Sequence, residues 1–321
     1  MSQIERPSAL IADIGGTNAR FALISGESLE PLEIINLAVD DFTNIDQAIS
    51  HYLELAAVDM PPRVCIAIAC PTHNDQIKMT NNGWVFSQSS LQQQLGIEQL
   101  SFINDYAAMA HAAPHLRDSD KFKVGTGEPL ADFPVAVLGP GTGLGVAGLV
   151  SYHGHATPVV TEGGHVDFAP TNDQEIEILR FLLKRYQHVS AERLLSGMGL
   201  ENIYQALAAI EGRQVEALKP AQISALAFDS SDPLALATID QFCATLGSVA
   251  GNIALTYGAQ GGVFITGGII PRMLNQFANS SFRQRFEAKG RFEAYMQAIP
   301  TYAVTAAQPG LLGAAAAALD L

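Results

Sequence analysis

Two apolar stretches interrupted by glycine-rich turns constrain the fold of this chain more than any other feature of its sequence. The first, "LIADIGGTNARFALI" at residues 10–24, places Asp13 and two glycines where a buried strand should continue. The second, "VAVLGPGTGLGVAGLV" at residues 135–150, repeats the pattern. Because glycine and aspartate are disfavoured inside strands, each stretch predicts a strand, a polar turn and a returning strand.

Glycine-rich turns of this kind can bind phosphate, because their backbone N–H groups can point into one concavity. A threonine hydroxyl lies beside the glycines in both turns and could donate a further hydrogen bond. The alternative for each is an ordinary hairpin turn without a ligand. The candidate residues are Gly15, Gly16 and Thr17 in the first turn, and Gly139, Gly141, Thr142, Gly143 and Gly145 in the second.

Two other phosphate-binding motifs do not fit. The sequence contains no Gly-Lys-Ser/Thr, so a P-loop is excluded. "GLGVAG" at residues 143–148 matches the dinucleotide pattern, but "LVSYHGH" follows it where that fold requires a helix.

Strands and helices alternate along the chain, which predicts an α/β layer architecture. A length of 321 residues favours two domains. The uncharged stretch at 241–271 contains polar residues and repeated glycines, so we expect a buried helix and a strand there, not a membrane span. The predicted strands lie near 32–37, 63–70 and 100–103 and in "GGVFITGG", and the predicted helices lie near 45–56, 174–187, 233–257 and in the tail "PGLLGAAAAALDL".

Composition excludes several partners. A formal net charge of −14 and a pI near 4.9 work against binding to nucleic acid or to an anionic membrane. Cys65, Cys70 and Cys243 have neither disulfide nor zinc-site spacing, so we interpret them as reduced core residues of a cytosolic protein. The first ten residues lack the apolar core of a secretion signal.

Asp105 follows a predicted strand and begins a predicted helix, a position where α/β proteins often place working side chains. Asn104 precedes it. The alternative role for Asp105 is a helix N-cap that accepts backbone N–H bonds.

"TEGGHVDFAP" at residues 161–170 gathers Glu162, His165 and Asp167 around a Gly-Gly turn. The spacing matches no recognised metal motif, whereas carboxylates and an imidazole can bind the hydroxyls of a polar ligand. Glu192, in "SAERLLSG", is a further candidate, with a capping box with Ser190 or an exposed surface charge as alternatives.

Taken together, Asp13 with "GGTNAR", "FIND", "GPGTGLG", "EGGHVDFAP", "SAERLLSG" and "ITGGIIPR" resemble the bacterial (group A) glucokinase family of the hexokinase and actin-like ATPase superfamily. The resemblance covers essentially the whole chain. It implies an α/β, two-domain actin-like ATPase (ribonuclease H-like) fold, with a cleft between a small and a large domain. The small domain would comprise 1–107 plus 306–321, including the C-terminal helix, and the large domain 108–305.

The resemblance also implies transfer of the ATP γ-phosphoryl group to the 6-hydroxyl of D-glucose, in glycolysis, by a cytoplasmic homodimer without nucleic-acid or membrane partners. Asp105 would be the catalytic base, Asp13 would orient Mg²⁺, and "GGVFITGG" would lie near the adenosine. The sugar-binding residues would be Asn104, Asp105, Glu162, His165 and Glu192. The ATP-binding residues would be Asp13, Ile14, Gly15, Gly16, Thr17, Asn18, Gly139, Gly141, Thr142 and Gly143.

Two alternatives stay open at this point: a kinase for another hexose, and a non-catalytic nucleotide-dependent regulator. A regulator has no need of a general base, so the Asn104–Asp105 pair argues against it. The chain lacks the Cys-rich zinc motif of related repressor-like sugar kinases. Residues 116–130 match no motif, and Met198 interrupts "SGMGL" in a loop that varies in the family.

Overall fold

A computed structural model describes residues 7–80, 82–152, 155–229 and 231–320. Most of the N-terminal segment that argued against a secretion signal lies outside the described residues. The contacts divide the chain into two units. The first unit contains Met1–Leu116, Tyr152–Val160 and Ala306–Leu321, and the second contains Arg117–Ser151 and Thr161–Thr305.

The described strands belong to two main sheets and one short hairpin. They are β1 (Ala9–Ile14), β2 (Asn18–Ile24), β3 (Leu32–Ala38), β4 (Arg63–Ile68), β5 (Gln76–Lys78), β6 (Val85–Ser87), β7 (Gln99–Asn104), β8 (Lys121–Val124), β9 (Val135–Pro140), β10 (Leu144–Tyr152), β11 (His155–Thr161), β12 (Gly262–Ile265) and β13 (Thr301–Val304).

The α-helices follow the strands of each unit. They are α1 (Ile45–Ala56), α2 (Gln88–Leu95), α3 (Asp105–Ala112), α4 (Asp173–Leu183), α5 (Gly197–Ile210), α6 (Pro220–Phe228), α7 (Pro233–Tyr257), α8 (Leu274–Ala278), α9 (Phe282–Glu287), α10 (Glu293–Ala298) and α11 (Pro309–Leu319).

The first unit is built on a sheet with the order β3-β2-β1-β4-β7. β1 is antiparallel to β2 but parallel to β4, which is parallel to β7. One face of the sheet packs on α1 and α2, and the opposite face packs on α11. The carboxyl ends of β1, β4 and β7 therefore share one edge, where ligands of α/β sheets usually bind.

The C-terminal helix α11 fills the second face of this sheet. Leu311, Ala314 and Ala315 are fully buried there against Ala9 and Ile11 of β1. A Cβ atom at Gly313 would overlap the backbone of Ala108, so only glycine allows α11 to approach α3 this closely.

The second main sheet has the order β11-β10-β9-β12-β13-β8. Buried side chains of this sheet and of helices α4 to α9 form one apolar core. β8 lies within residues 116–130, the segment without an assignable motif, and pairs antiparallel with β13 as the edge strand of this sheet.

Helix α7 and the strand after it confirm the prediction for residues 241–271. Among the described residues, α7 is the one helix long and apolar enough to cross a membrane, but 83% of its most apolar window is buried. A Cβ atom at Gly247 would overlap the carbonyl of Phe282, so α7 packs directly on α9. It is a core helix.

The predicted helix at 174–187 is wrong at its end, because α4 stops at Leu183. The carbonyl of Leu182 accepts hydrogen bonds from both Arg185 (2.8 Å) and Tyr186 (2.9 Å), which closes the last turn. The chain then turns so that Phe168 donates to the carbonyl of Val189 (2.9 Å).

Candidate active site

The first glycine turn joins β1 to β2, so the predicted hairpin is confirmed. Asp13 pairs with Arg20 across the ladder, and Ile14 pairs with Ala19. The Gly15 amide donates to the Asn18 carbonyl at 2.9 Å and closes the turn. The side-chain Nδ2 atom of Asn82 donates to the Gly15 carbonyl at 3.2 Å, which fixes the turn from outside the hairpin.

Asp13 is held at the end of β1 with little room around its carboxylate. A Cβ atom at Gly310, in the first turn of α11, would lie 2.7 Å from its Cγ and Oδ2 atoms. Burial raises the pKa of Asp13, while the Arg20 guanidinium 3.7 Å away opposes that rise. The sequence around Gly310 indicates only a helix-forming tail and gives no sign of this contact.

Asn104 and Asp105 lie at the junction of β7 and α3. The Oδ1 atom of Asn104 accepts a hydrogen bond from the Tyr106 amide at 2.9 Å, so Asn104 is the N-cap of α3. The capping alternative for Asp105 is therefore wrong, because Asp105 is the first residue of the helix. Its Oδ1 atom also accepts from Tyr106, at 3.0 Å.

Asp13 and Asp105 lie at the same edge of the sheet. Ile14 is in register with Ile68 of β4, and Ile68 is in register with Asn104. Burial is the main cause that raises the pKa of Asp105 to about 6, with the charge of Asp13 acting in the same direction. Hydrogen bonds from the Tyr106 amide and from Asn104 oppose the rise. The site therefore holds a half-buried carboxyl that ionises close to neutral pH.

The second glycine turn joins β9 to β10 in the second unit, which confirms the second predicted hairpin. Gly139 pairs with Gly145, and the Gly141 amide donates to the Gly143 carbonyl at 2.8 Å. The Gly197 amide, at the start of α5, donates to the Gly141 carbonyl at 2.9 Å. The positive end of the α5 dipole therefore lies beside the turn, which favours a bound anion.

A second glycine contact shapes the same turn. Gly267, in "ITGG", has a φ of +83°, and a Cβ atom there would lie 2.5 Å from the carbonyl oxygen of Pro140. A larger residue would push the hairpin away from the end of β12. The sequence pattern places this glycine near a strand end but does not indicate its contact with the hairpin.

Glu162 and His165 flank a short helical turn after β11. The Thr161 hydroxyl donates to the Val146 carbonyl (2.9 Å) and accepts from the Gly163 amide (3.1 Å). The His165 amide donates to the Glu162 carbonyl at 2.9 Å, and both side chains are exposed. The turn thus presents a carboxylate and an imidazole to solvent.

Glu192 connects this region with the glycine hairpin. Its Oε2 atom accepts a hydrogen bond from the Leu144 amide at 2.9 Å, and a Cβ atom at Gly143 would overlap the same oxygen. The Ser190 side chain makes no capping bond, so the capping-box alternative for Glu192 is wrong. His165 and Glu192 line one cavity.

The structure therefore distributes the predicted residues over the two units. Among the described residues, no group of three His, Cys, Asp or Glu side chains is close enough to hold a metal ion by itself. Asp13 to Asn18, Asn104 and Asp105 lie in the first unit, and Gly139 to Gly143, Glu162, His165 and Glu192 lie in the second.

Comparison with known proteins shows the family to which the chain is similar. A family model described as Glucokinase matches residues 10–321. A glucokinase of Hahella chejuensis is 48% identical over 309 residues, which cover 96% of this chain and 96% of that protein.

Solved structures agree as well. The crystal structure of a glucokinase from an Antarctic psychrotroph matches with a TM-score of 0.92 and 40% identity, covering 97% of this chain and 98% of that chain. A ROK family glucokinase from Streptomyces griseus, solved in complex with glucose and AMPPNP, matches with a TM-score of 0.61 and covers 97% and 98% of the two chains. Its 18% identity supports the fold alone.

These findings confirm the α/β, actin-like ATPase fold that the sequence resemblance implies. The chain belongs to the glucokinase family, and it is a hexose kinase that catalyses ATP-dependent phosphorylation of glucose.

Proposed function

We propose that Asp105 is the general base that accepts the proton of the glucose 6-hydroxyl during phosphoryl transfer. The observation that carries this proposal is the pKa of about 6 for a carboxyl at the carboxyl edge of the sheet. A general base works best when its pKa lies close to the operating pH. The hydrogen bond from Tyr106 uses Oδ1, which leaves Oδ2 to meet a hydroxyl.

We further propose that Asn104, Glu162, His165 and Glu192 bind the sugar together with Asp105. Carboxylates accept hydrogen bonds from hydroxyl groups, and an amide or an imidazole can both donate and accept. Glu192 uses one oxygen on Leu144 and keeps the other for a ligand. The glucose found in the Streptomyces griseus relative is consistent with a sugar site in this fold.

ATP phosphates would be held mainly by backbone N–H groups, in keeping with an acidic chain. The proposed residues are Asp13 to Asn18 in the first unit and Gly139 to Gly143 in the second. Thr17 is exposed in the first hairpin and can add a hydroxyl donor. The start of α5 supports anion binding at the second hairpin.

Asp13 would orient Mg²⁺ through water. The residues present fit such an ion, because Asp13 and Asp105 place two carboxyl groups at one sheet edge and Gly310 leaves no side chain in the way. When bound, the ion supplies charge neutralisation for the transferred phosphoryl group. The contribution of Asp13 is to hold the ion in one place.

We also propose that the protein is a cytoplasmic homodimer. All three cysteines are buried free thiols, which supports a reducing, cytoplasmic location. The homodimer and the domain bounds 1–107 plus 306–321 and 108–305 rest on the sequence resemblance. Light scattering coupled to size exclusion tests the dimer, and a mass of one chain would contradict it.

The experiment for Asp105 compares the wild type with Asp105→Asn in an ADP-release assay with Mg²⁺, ATP and a panel of hexoses. Asparagine keeps the acceptor for Tyr106 but cannot take a proton. We expect turnover with glucose to fall roughly 10²- to 10⁴-fold, while glucose still binds in calorimetry. Near-normal turnover of the variant would remove Asp105 from this role.

A further inference from the structure

A cavity of about 340 Å³ in the second unit contains a basic cluster that the phosphoryl-transfer proposal does not use. Its lining includes Arg185, His188 and Arg193, together with His165 and Glu192. The volume falls within the range of roughly 300 to 1,000 Å³ that is typical of small-molecule sites. The arginines stand out in a chain with a formal charge of −14.

Both arginine side chains are oriented by aromatic rings. The Cζ atom of Arg185 lies 4.6 Å from the centroid of the Phe181 ring, and its Nη1 atom donates to Gln205 at 2.6 Å. The Cζ atom of Arg193 lies 4.3 Å from the centroid of the Tyr186 ring. Stacking fixes the plane of a guanidinium while leaving N–H donors free at its edge.

Neither guanidinium is neutralised by a carboxylate among the described residues. Arg193 donates to the Met198 sulfur at 3.2 Å, and a thioether is a weak acceptor without charge. Two unneutralised cations facing one cavity repel each other, and a bound anion would relieve that repulsion.

The two carboxylates near the arginines, those of Glu192 and Asp167, form hydrogen bonds with other groups. Glu192 uses its Oε2 atom on the Leu144 amide, and Asp167 contacts the His188 ring nitrogen at 2.8 Å. Neither carboxylate forms an ion pair with Arg185 or Arg193 among the described residues. Arg185 and Arg193 therefore keep N–H donors for a ligand with anionic oxygens.

We propose that this cavity binds a phosphomonoester dianion, with Arg185 and Arg193 as its principal donors. Guanidinium groups match phosphate oxygens in geometry as well as in charge, and hydrogen bonds between such partners are stronger than neutral ones. The site lies within the second unit, shares His165 and Glu192 with the proposed sugar site, and is distinct from the glycine hairpins proposed for ATP.

The test is calorimetric titration of the full chain with sn-glycerol 3-phosphate, with glycerol as the matched neutral probe. The buffer contains no phosphate, sulfate, nucleotide, Mg²⁺ or sugar, so failure of the kinase proposal cannot change the result. The variants are Arg185→Gln and Arg193→Gln. The matched control is Arg180→Gln on α4, whose guanidinium pairs with Glu177 and does not line the cavity.

We expect one site per chain in the wild type and in the control. In each cavity variant the affinity should fall at least about tenfold. Thermal unfolding of every variant checks that the fold is retained, and Arg193→Lys should recover part of the affinity. Absence of saturable binding to the wild type, or equal binding of glycerol, would overturn the proposal. Unchanged affinity in both cavity variants would also overturn it, because the phosphate would then occupy another place such as a glycine hairpin.

Discussion

The Oε2 atom of Glu192 accepts a hydrogen bond from the amide of Leu144, 48 residues earlier in the chain, at 2.9 Å. One carboxylate thus supports the start of β10 with one oxygen and offers the other to a ligand. Glu192, which is proposed for the sugar, thus contacts the residue that follows the hairpin proposed for the nucleotide.

Glu192→Gln and Glu192→Ala should separate these two roles. The glutamine oxygen can still accept from Leu144, so we expect a higher KM for glucose and a nearly unchanged KM for ATP. Alanine removes both contacts, and both KM values should rise. Loss of the hydrogen bond to a buried or half-buried amide costs about 1–3 kcal/mol, or roughly five- to 150-fold. Equal effects of the two substitutions on both substrates would contradict the division of roles.

The pH dependence of kcat/KM tests the ionisation of Asp105. Because burial raises the pKa of this group to about 6, its basic form is lost as the pH falls through that value. We expect kcat/KM for glucose to be level above pH 7 and to fall about tenfold per unit well below pH 6. The weak residual activity of Asp105→Asn should lack this decline. A wild-type decline that begins only near pH 4 would contradict the assignment.

The same ionisation predicts an effect on stability. The folded pKa of Asp105 is raised from 3.8 to about 6, so between these values the folded chain binds more protons than the unfolded chain. The contribution of this group to stability therefore falls as the pH rises through that window. Asp105→Asn should raise the free energy of unfolding at pH 8 by at most about 3 kcal/mol relative to its effect at pH 4. Denaturant unfolding at both pH values measures the difference, and a larger gain at pH 4 would contradict it.

Gly310→Ala should disturb Asp13 directly. The new Cβ atom would lie 2.7 Å from the Cγ and Oδ2 atoms of the carboxylate, which must then move. We expect kcat to fall by about an order of magnitude, and the Mg²⁺ concentration for half-maximal rate to rise, since a displaced ligand can cost about 10²-fold.

Gly313→Ala is the matched control in the same helix. Its Cβ atom would overlap the backbone of Ala108 but does not touch Asp13, so overpacking should cost about 1–3 kcal/mol of stability. Its Mg²⁺ concentration for half-maximal rate should be unchanged, whereas kcat can fall because Ala108 lies in α3, which begins at Asp105. If Gly310→Ala also loses only stability, Asp13 is not positioned by this contact.

Local patterns in the sequence predicted much of the fold. The two glycine hairpins, α1, the buried α7 and the strand–helix junction at Asn104 follow from apolar periodicity over a few residues. The predicted end of α4 was wrong because the carbonyl of Leu182 accepts two hydrogen bonds there and closes the helix. Apolar periodicity does not indicate such a turn.

The candidate site was harder to predict from the sequence, because its contacts join distant parts of the chain. Nothing near Glu192 indicates that it reaches Leu144, and nothing in the tail indicates that Gly310 faces Asp13. Arg185 and Arg193 flank a turn and share a cavity with His165, which no window of sequence shows. Asn104 is the N-cap because α3 begins at Asp105, one residue earlier than the capping alternative for Asp105 required.

The position of α11 has a consequence for biosynthesis. β1 and β4 leave the ribosome early, yet one apolar face of their sheet is covered by Pro309–Leu319, which is translated some 240 residues after β4. Until then the nascent chain carries an uncovered hydrophobic surface, which chaperones bind and which invites aggregation. Premature termination anywhere upstream of α11 should therefore yield an insoluble product, even when every proposed catalytic residue has been made.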